Sequence, residues 1–235
     1  MGTRAVKQHI LQVLQQDDLG QIQAELMQLE SKGLINALFS GICHADERVR
    51  WHAVSAMGTA VAGLADQEME EARIIMRRML WSLNDESGGI GWGAPESMAE
   101  IMCHHPGLAE EYVHMLISYM RPDGEEEWQD GNFLEHEMLQ QGLMWGAGRL
   151  ARCRRELVLD KGMEQDLPPY LDSPDAAVRG LAVRATGLLG RTVRPDRVRE
   201  LAREDNGQVR LYDNGLLSTV SVAQLARQAL EELGL

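Results

Sequence analysis

The sequence predicts an all-α fold: an α-solenoid (α-α superhelix) of about five helix pairs, with a small β-hairpin in the last one. Three observations predict it. Asp46, Val49, Arg50, Ala53, Ala56 and Gly58 return at the same offsets as Asp175, Val178, Arg179, Ala182, Ala185 and Gly187, and recurrence at this scale marks a repeat architecture. Apolar residues follow helical spacing along most of the chain. The apolar residues include 13 Met against 2 Phe, and Leu, Ala and Met suit helix pairs better than the pleated surface of a sheet.

The elements follow in order. Arg4 to Gln16 places Ile10, Leu11, Val13 and Leu14 on one helical stripe. Asp17-Asp18 can cap the next segment, in which Ile22, Leu26 and Leu29 share a face. Gly33 to Phe39 is a short apolar helix, and Asp46 caps the helix from Val49 to Val61. Glu68 to Leu83 reads as a long first helix. A glycine-rich joint, Ser87 to Gly93, precedes Pro95, which favours a helix start. That helix runs to about His104, and Pro106 starts another that reaches Tyr119. The polar stretch Arg121 to Asp130, with Pro122, Gly124 and the run Glu125-Glu126-Glu127, reads as an exposed loop.

Phe133 to Leu150 is the next second helix. Gly162 to Leu171 and Ala176 to Leu189 form a further pair, and Val198 to Glu204 is the last first helix. Gln208 to Tyr212 and Leu216 to Val220 flank Asp213-Asn214-Gly215, the strongest short hairpin signal. Ser221 then caps Val222 to Leu233. Second helices anchored at Val49, Ile90, Leu134 and Val178 are 41, about 44 and about 44 residues apart, a helix-pair period. One repeat domain is expected over 1–235, with capping helices over 1–32, repeats over 33–205, and the hairpin with a capping helix over 206–235.

The net charge is −13. Residues 1–130 hold 9 Lys/Arg against 21 Asp/Glu, and residues 131–235 hold 14 against 15. This balance argues against nucleic-acid binding, which needs a basic footprint. No run approaches the length of a membrane span, and no signal peptide opens the chain. Cys43, Cys103 and Cys153 lie far apart without Cys-x-x-Cys spacing, so no disulfide framework is expected. A reducing, cytoplasmic setting follows.

The phrase Val-Arg-x-x-Ala-x-x-Ala-x-Gly after an Asp resembles the HEAT-like repeat, including its phycobilin-lyase-type variant. The match is close at Val49 to Gly58 and Val178 to Gly187, and looser at Ile90 to Ala99 and Phe133 to Leu143. The resemblance implies an α-solenoid over roughly residues 33 to 233. It implies no lyase activity, because one fold hosts many functions.

In HEAT-like repeats the second helices line the concave face. Positions two, three and six residues after each anchor then face the groove. They give Trp51, His52 and Ser55; then Trp92, Gly93 and Glu96, with Glu100 one turn on; then His136, Glu137 and Gln140; then Gly180, Leu181 and Arg184. The binding candidates are Trp51, His52, Trp92, Glu96, Glu100, His136, Glu137 and Arg184. Carboxylates and Trp faces point to a protein partner that is cationic or amphipathic.

His136-Glu137 is similar to the His-Glu pairs with which deoxyhypusine hydroxylase, a HEAT-like enzyme, binds two irons. The equivalent positions here hold Trp51-His52, Trp92-Gly93 and Gly180-Leu181, which removes the di-iron reading. Cys103-His104-His105 reads as a helix terminus with favourable imidazoles. No nucleophile–base or phosphate-loop motif occurs. A non-catalytic interaction or scaffold module, without cofactor, is therefore the first reading. The alternative is a ligand- or metal-binding protein or enzyme using a Trp/Glu/His groove between the second and third repeats, for example through Glu96, Glu100 and His136. The sequence indicates no oligomeric state.

Overall fold

The computed structural model describes residues 3–84, 91–122, 124–125 and 132–235. Among these the fold is an α-solenoid of thirteen α-helices with a two-stranded antiparallel sheet near the C-terminus. The helices are α1 (Thr3–Val13), α2 (Leu19–Leu26), α3 (Ser31–Gly41), α4 (Glu47–Ala65), α5 (Met69–Leu83), α6 (Ala94–His104), α7 (Pro106–Ser118), α8 (Glu137–Cys153), α9 (Arg155–Asp160), α10 (Met163–Asp166), α11 (Ala176–Leu189), α12 (Pro195–Glu204) and α13 (Val222–Leu233). A 3-10 turn, Pro168–Asp172, precedes α11, and strands β1 (Gln208–Asp213) and β2 (Leu216–Ser221) precede α13.

The chain divides into two compact units. The first holds residues Met1–Leu108 and the hairpin tip Tyr212–Leu217. In it α1 packs on α3, α3 on α4, and α4 on both α5 and α6. Ile10, Leu14, Leu38, Met57, Met76 and Met98 form its core. The second holds Ala109–Leu211 and Ser218–Leu235. There α11 packs between α8 and α13, with α12 against α13.

Local chemistry sets the helix starts. The Asp46 carboxylate accepts from the backbone N–H groups of Arg48 (2.9 Å) and Val49 (3.3 Å). Asp175 accepts from Val178 N–H at 2.8 Å, and Ser221 and Gln224 form a capping box on α13. Asp18 caps α2. These side chains satisfy donors that the first helical turn leaves unpaired. Asp175→Ala is expected to lose about 1 kcal/mol, read as a lower urea midpoint; an unchanged midpoint would show that the cap contributes nothing.

The hairpin forms where Asn-Gly predicts it. Asn214 (φ 49°) and Gly215 (φ 85°) take up the positive backbone angles of a two-residue turn.

Two helices depart from expectation. α8 starts at Glu137 rather than Phe133, because the backbone N–H groups of Asn132 and Leu134 donate to the Ser118 and Tyr119 carbonyls instead. His136 then caps α8, its Nδ1 accepting from Met138 N–H at 3.2 Å. The expected helix over Gly162 to Leu171 is divided between α10 and the 3-10 turn. Gly162 at φ 77° ends one turn, and Pro168-Pro169 cannot continue a helical ladder. Residues 87–90 of the expected joint, with its Ile90 anchor, and most of the acidic run lie outside the described residues. Cys43 is a free cysteine.

The caps Asp46, Gly93, His136 and Asp175 set a common register. The third residue after each is Val49, Glu96, Leu139 and Val178. Leu139 thereby replaces Leu134 as an anchor. The twelfth residue after three of these caps is glycine: Gly58, Gly148 and Gly187. Two of them mark close helix crossings. A Cβ on Gly58 would lie 2.9 Å from the Cβ of Glu100 on α6, and one on Gly187 would lie 2.6 Å from the Cα of Ala229 on α13. Gly148 is looser: its nearest neighbours would be the tip of Arg184 at 3.2 Å and Ala185 at 3.7 Å. Gly148→Ala is therefore expected to raise stability by up to about 1 kcal/mol through helix propensity. A drop in melting temperature would contradict this reading.

Candidate functional site

The α4 residues expected to line a groove are buried within the first unit. The Trp51 ring stacks on Tyr212 of the hairpin tip, with centroids 4.8 Å apart and planes at 10°. The Tyr212 and Ser55 hydroxyls are hydrogen-bonded at 2.9 Å. His52 is buried against the edge of the same Tyr ring. Its Nδ1 lies 2.9 Å from the Leu14 carbonyl oxygen. A carbonyl only accepts, so Nδ1 carries the hydrogen and donates. Nε2 is then a buried acceptor without a partner among the described residues.

The start of α6 is set by Gly93. It sits at φ 75°, and a Cβ there would meet both the Cβ and the carbonyl oxygen of Ile42 at 2.8 Å, so glycine alone fits. This places Trp92 outside the helix, exposed, with its carbonyl oxygen 3.6 Å from the Cys43 thiol. Glu96 is half-buried, and its Oε2 is sealed from solvent without a hydrogen-bond partner among the described residues. Burial pushes its carboxyl up to about 7, against the lowering influence of its own backbone N–H and of Arg50. Burial, and then the Glu96 charge, also raise the Cys43 thiol, which leaves that thiol poorly nucleophilic.

A carboxyl raised above its unfolded value opposes folding wherever it must ionise. For Glu96 that penalty is absent below the ordinary value of 4.5, grows as pH rises, and is complete above about 7. The melting temperature of Glu96→Gln relative to wild type is expected to rise between pH 4.5 and pH 8. A difference independent of pH would contradict the burial of this charge.

Glu100 is buried at the α4–α6 crossing and faces His104 Nε2 at 3.6 Å. His104 closes α6, and His105 caps α7 by accepting from Leu108 N–H at 3.1 Å. The other three candidates belong to the second unit. His136 and Glu137 are exposed at the start of α8. Arg184 is half-buried beside Gly148, where its charge acts on Glu232. Among the described residues no three His, Cys, Asp or Glu side chains are arranged to hold a metal ion.

Sequence reasoning missed a different feature of the first unit. A groove of about 420 Å³ runs between α3, the end of α4 and α5. Ile35, Leu64, Ile74 and Ile75 supply its apolar wall, and Glu30, Lys32, Glu68 and Glu71 its charges. Ile74 is 44% exposed. Glu70 beside it is neutralised by Arg73 and Arg77, but Glu68 and Glu71 have no ion pair among the described residues. The available signal was Ile74 itself, an apolar residue off the buried α5 stripe of Ala72, Met76 and Met79.

No family model matches the chain. An uncharacterized protein of Archaeoglobus fulgidus is 26% identical over 207 residues, covering 88% of this chain and 99% of that protein. Among solved structures, an engineered protein aligns with a TM-score of 0.53 at 14% identity, over 98% of this chain and 96% of its own. A designed armadillo repeat protein aligns at 0.50 and 18% identity, over 96% and 98%. These likenesses concern the fold. They show, with the recurring phrase, a HEAT/armadillo-like helical-repeat fold. The phycobilin-lyase type receives no support. Among the described residues no helix is long and apolar enough to cross a membrane.

Proposed function

We propose that this chain is a non-catalytic protein-interaction module that docks a cationic, amphipathic segment of its partner on the first unit. One observation carries the reading: an open apolar groove whose rim carboxylates, Glu68 and Glu71, have no ion pair among the described residues. An apolar side chain of the partner buries against Ile35, Ile74 and Ile75, which supplies most of the affinity. Lys or Arg flanking that anchor meets Glu68 and Glu71, which supplies orientation and association rate. Repeat proteins offer extended surfaces of this kind. Of the expected positions, Trp92, exposed in the same unit, is a candidate for a further part of the contact.

The test is calorimetric titration with a lysine-rich amphipathic helical peptide. Ile74 is exposed, so Ile74→Asp should leave the fold nearly unchanged. It should weaken binding roughly tenfold or more, about 1.4 kcal/mol. Equal binding by both proteins would overturn the proposal.

A further inference from the structure

A second groove, of about 520 Å³, continues from the first. The two share Glu30 and Asn36 as lining residues. Val6, Leu29 and Ala37 give the second groove its apolar wall, and Arg4 and Lys7 its far rim. Arg4 and Lys7 are exposed and make no ion pair among the described residues. The two apolar grooves therefore flank the exposed Asn36 of α3, with Arg4 and Lys7 at the α1 edge and Glu68 and Glu71 at the α5 edge. Lys32 also lines the first groove, and the Arg78 guanidinium of α5 donates to the shared Asn36 at 3.4 Å.

Building on the docking function above, we propose that the two grooves together cradle a single amphipathic helix whose charges are segregated: acidic over Arg4 and Lys7, basic over Glu68 and Glu71. The chemistry is charge complementarity along an apolar seam. Uncommitted surface charges are the ones that select a partner, because they have no internal pair to break. A uniformly basic helix would meet Arg4 and Lys7 with like charge. A helix with alternating charges would place a repulsive group at each end.

The experiment compares three helical peptides that share one Ile/Leu face: charges segregated into halves, the same charges interleaved, and all lysine. Interleaving adds i, i+4 pairs and so favours helix, which means that tighter binding of the segregated peptide cannot come from helix content. Wild type is expected to bind the segregated peptide about tenfold more tightly than the interleaved one at low salt, and the gap should shrink at high salt. The double variant Arg4→Glu/Lys7→Glu, checked for folding by its melting curve, should lose the preference. Equal affinity for segregated and interleaved peptides overturns the inference, as does a preference that survives the double variant. If the all-lysine peptide binds best and Ile74→Asp abolishes that binding, the docking function stands and the cradle does not. Binding of none of the three overturns both.

Discussion

Replacing Tyr212 with alanine is expected to destabilise the protein by about 3–5 kcal/mol. The ring is buried, stacked on Trp51 and edge-on to His52. Truncation removes that packing and leaves a cavity. It also strands the Ser55 hydroxyl in a buried position, since the Tyr212 hydroxyl is its partner at 2.9 Å. Tyr212→Phe keeps the stack and loses only the hydrogen bond, so about 1 kcal/mol is expected. Urea unfolding of the two variants separates these contributions. A Tyr212→Ala protein within 1 kcal/mol of wild type would show that the hairpin tip is not seated on α4.

Gly187→Leu is expected to cost about 3 kcal/mol, the upper end for overpacking. Leucine would gain roughly 0.8 kcal/mol of helix propensity over glycine, but its first carbon already collides with backbone. The Cβ position lies 2.6 Å from Ala229 Cα and 2.8 Å from Ala229 Cβ. Neither atom can move without shifting α13. The Glu232 carboxylate oxygen at 2.5 Å could rotate away, so it contributes less. A melting temperature equal to wild type would show that α11 and α13 do not cross at this glycine.

Much of the fold was legible because it rests on neighbours in sequence. Asp46 and Asp175 announce their helices through hydrogen bonds reaching two or three residues ahead, and Asn214-Gly215 encodes its turn in two backbone angles. The rest depends on contacts that no local pattern records. The start of α8 moves to Glu137 because the end of α7 takes the Leu134 N–H. Trp51 and Ser55 read as groove residues from periodicity, yet their partner Tyr212 is 157 residues from Ser55 in the chain. The groove draws on three helices, and among the described residues Glu68 and Glu71 lack the arginines that occupy Glu70. The recurring glycine was visible at positions 58 and 187. At 148 it was hidden by the shifted register.

The most direct test of the docking surface is isoleucine-methyl NMR of the full chain during titration with the amphipathic peptide. Ile35, Ile74 and Ile75 line the groove, while Ile22 and Ile101 are buried away from it. The account predicts saturable shifts of the first three methyl signals, with Ile22 and Ile101 unmoved and the Ile74→Asp variant silent. Saturable shifts centred on other methyl groups, with Ile35, Ile74 and Ile75 stationary, would contradict it.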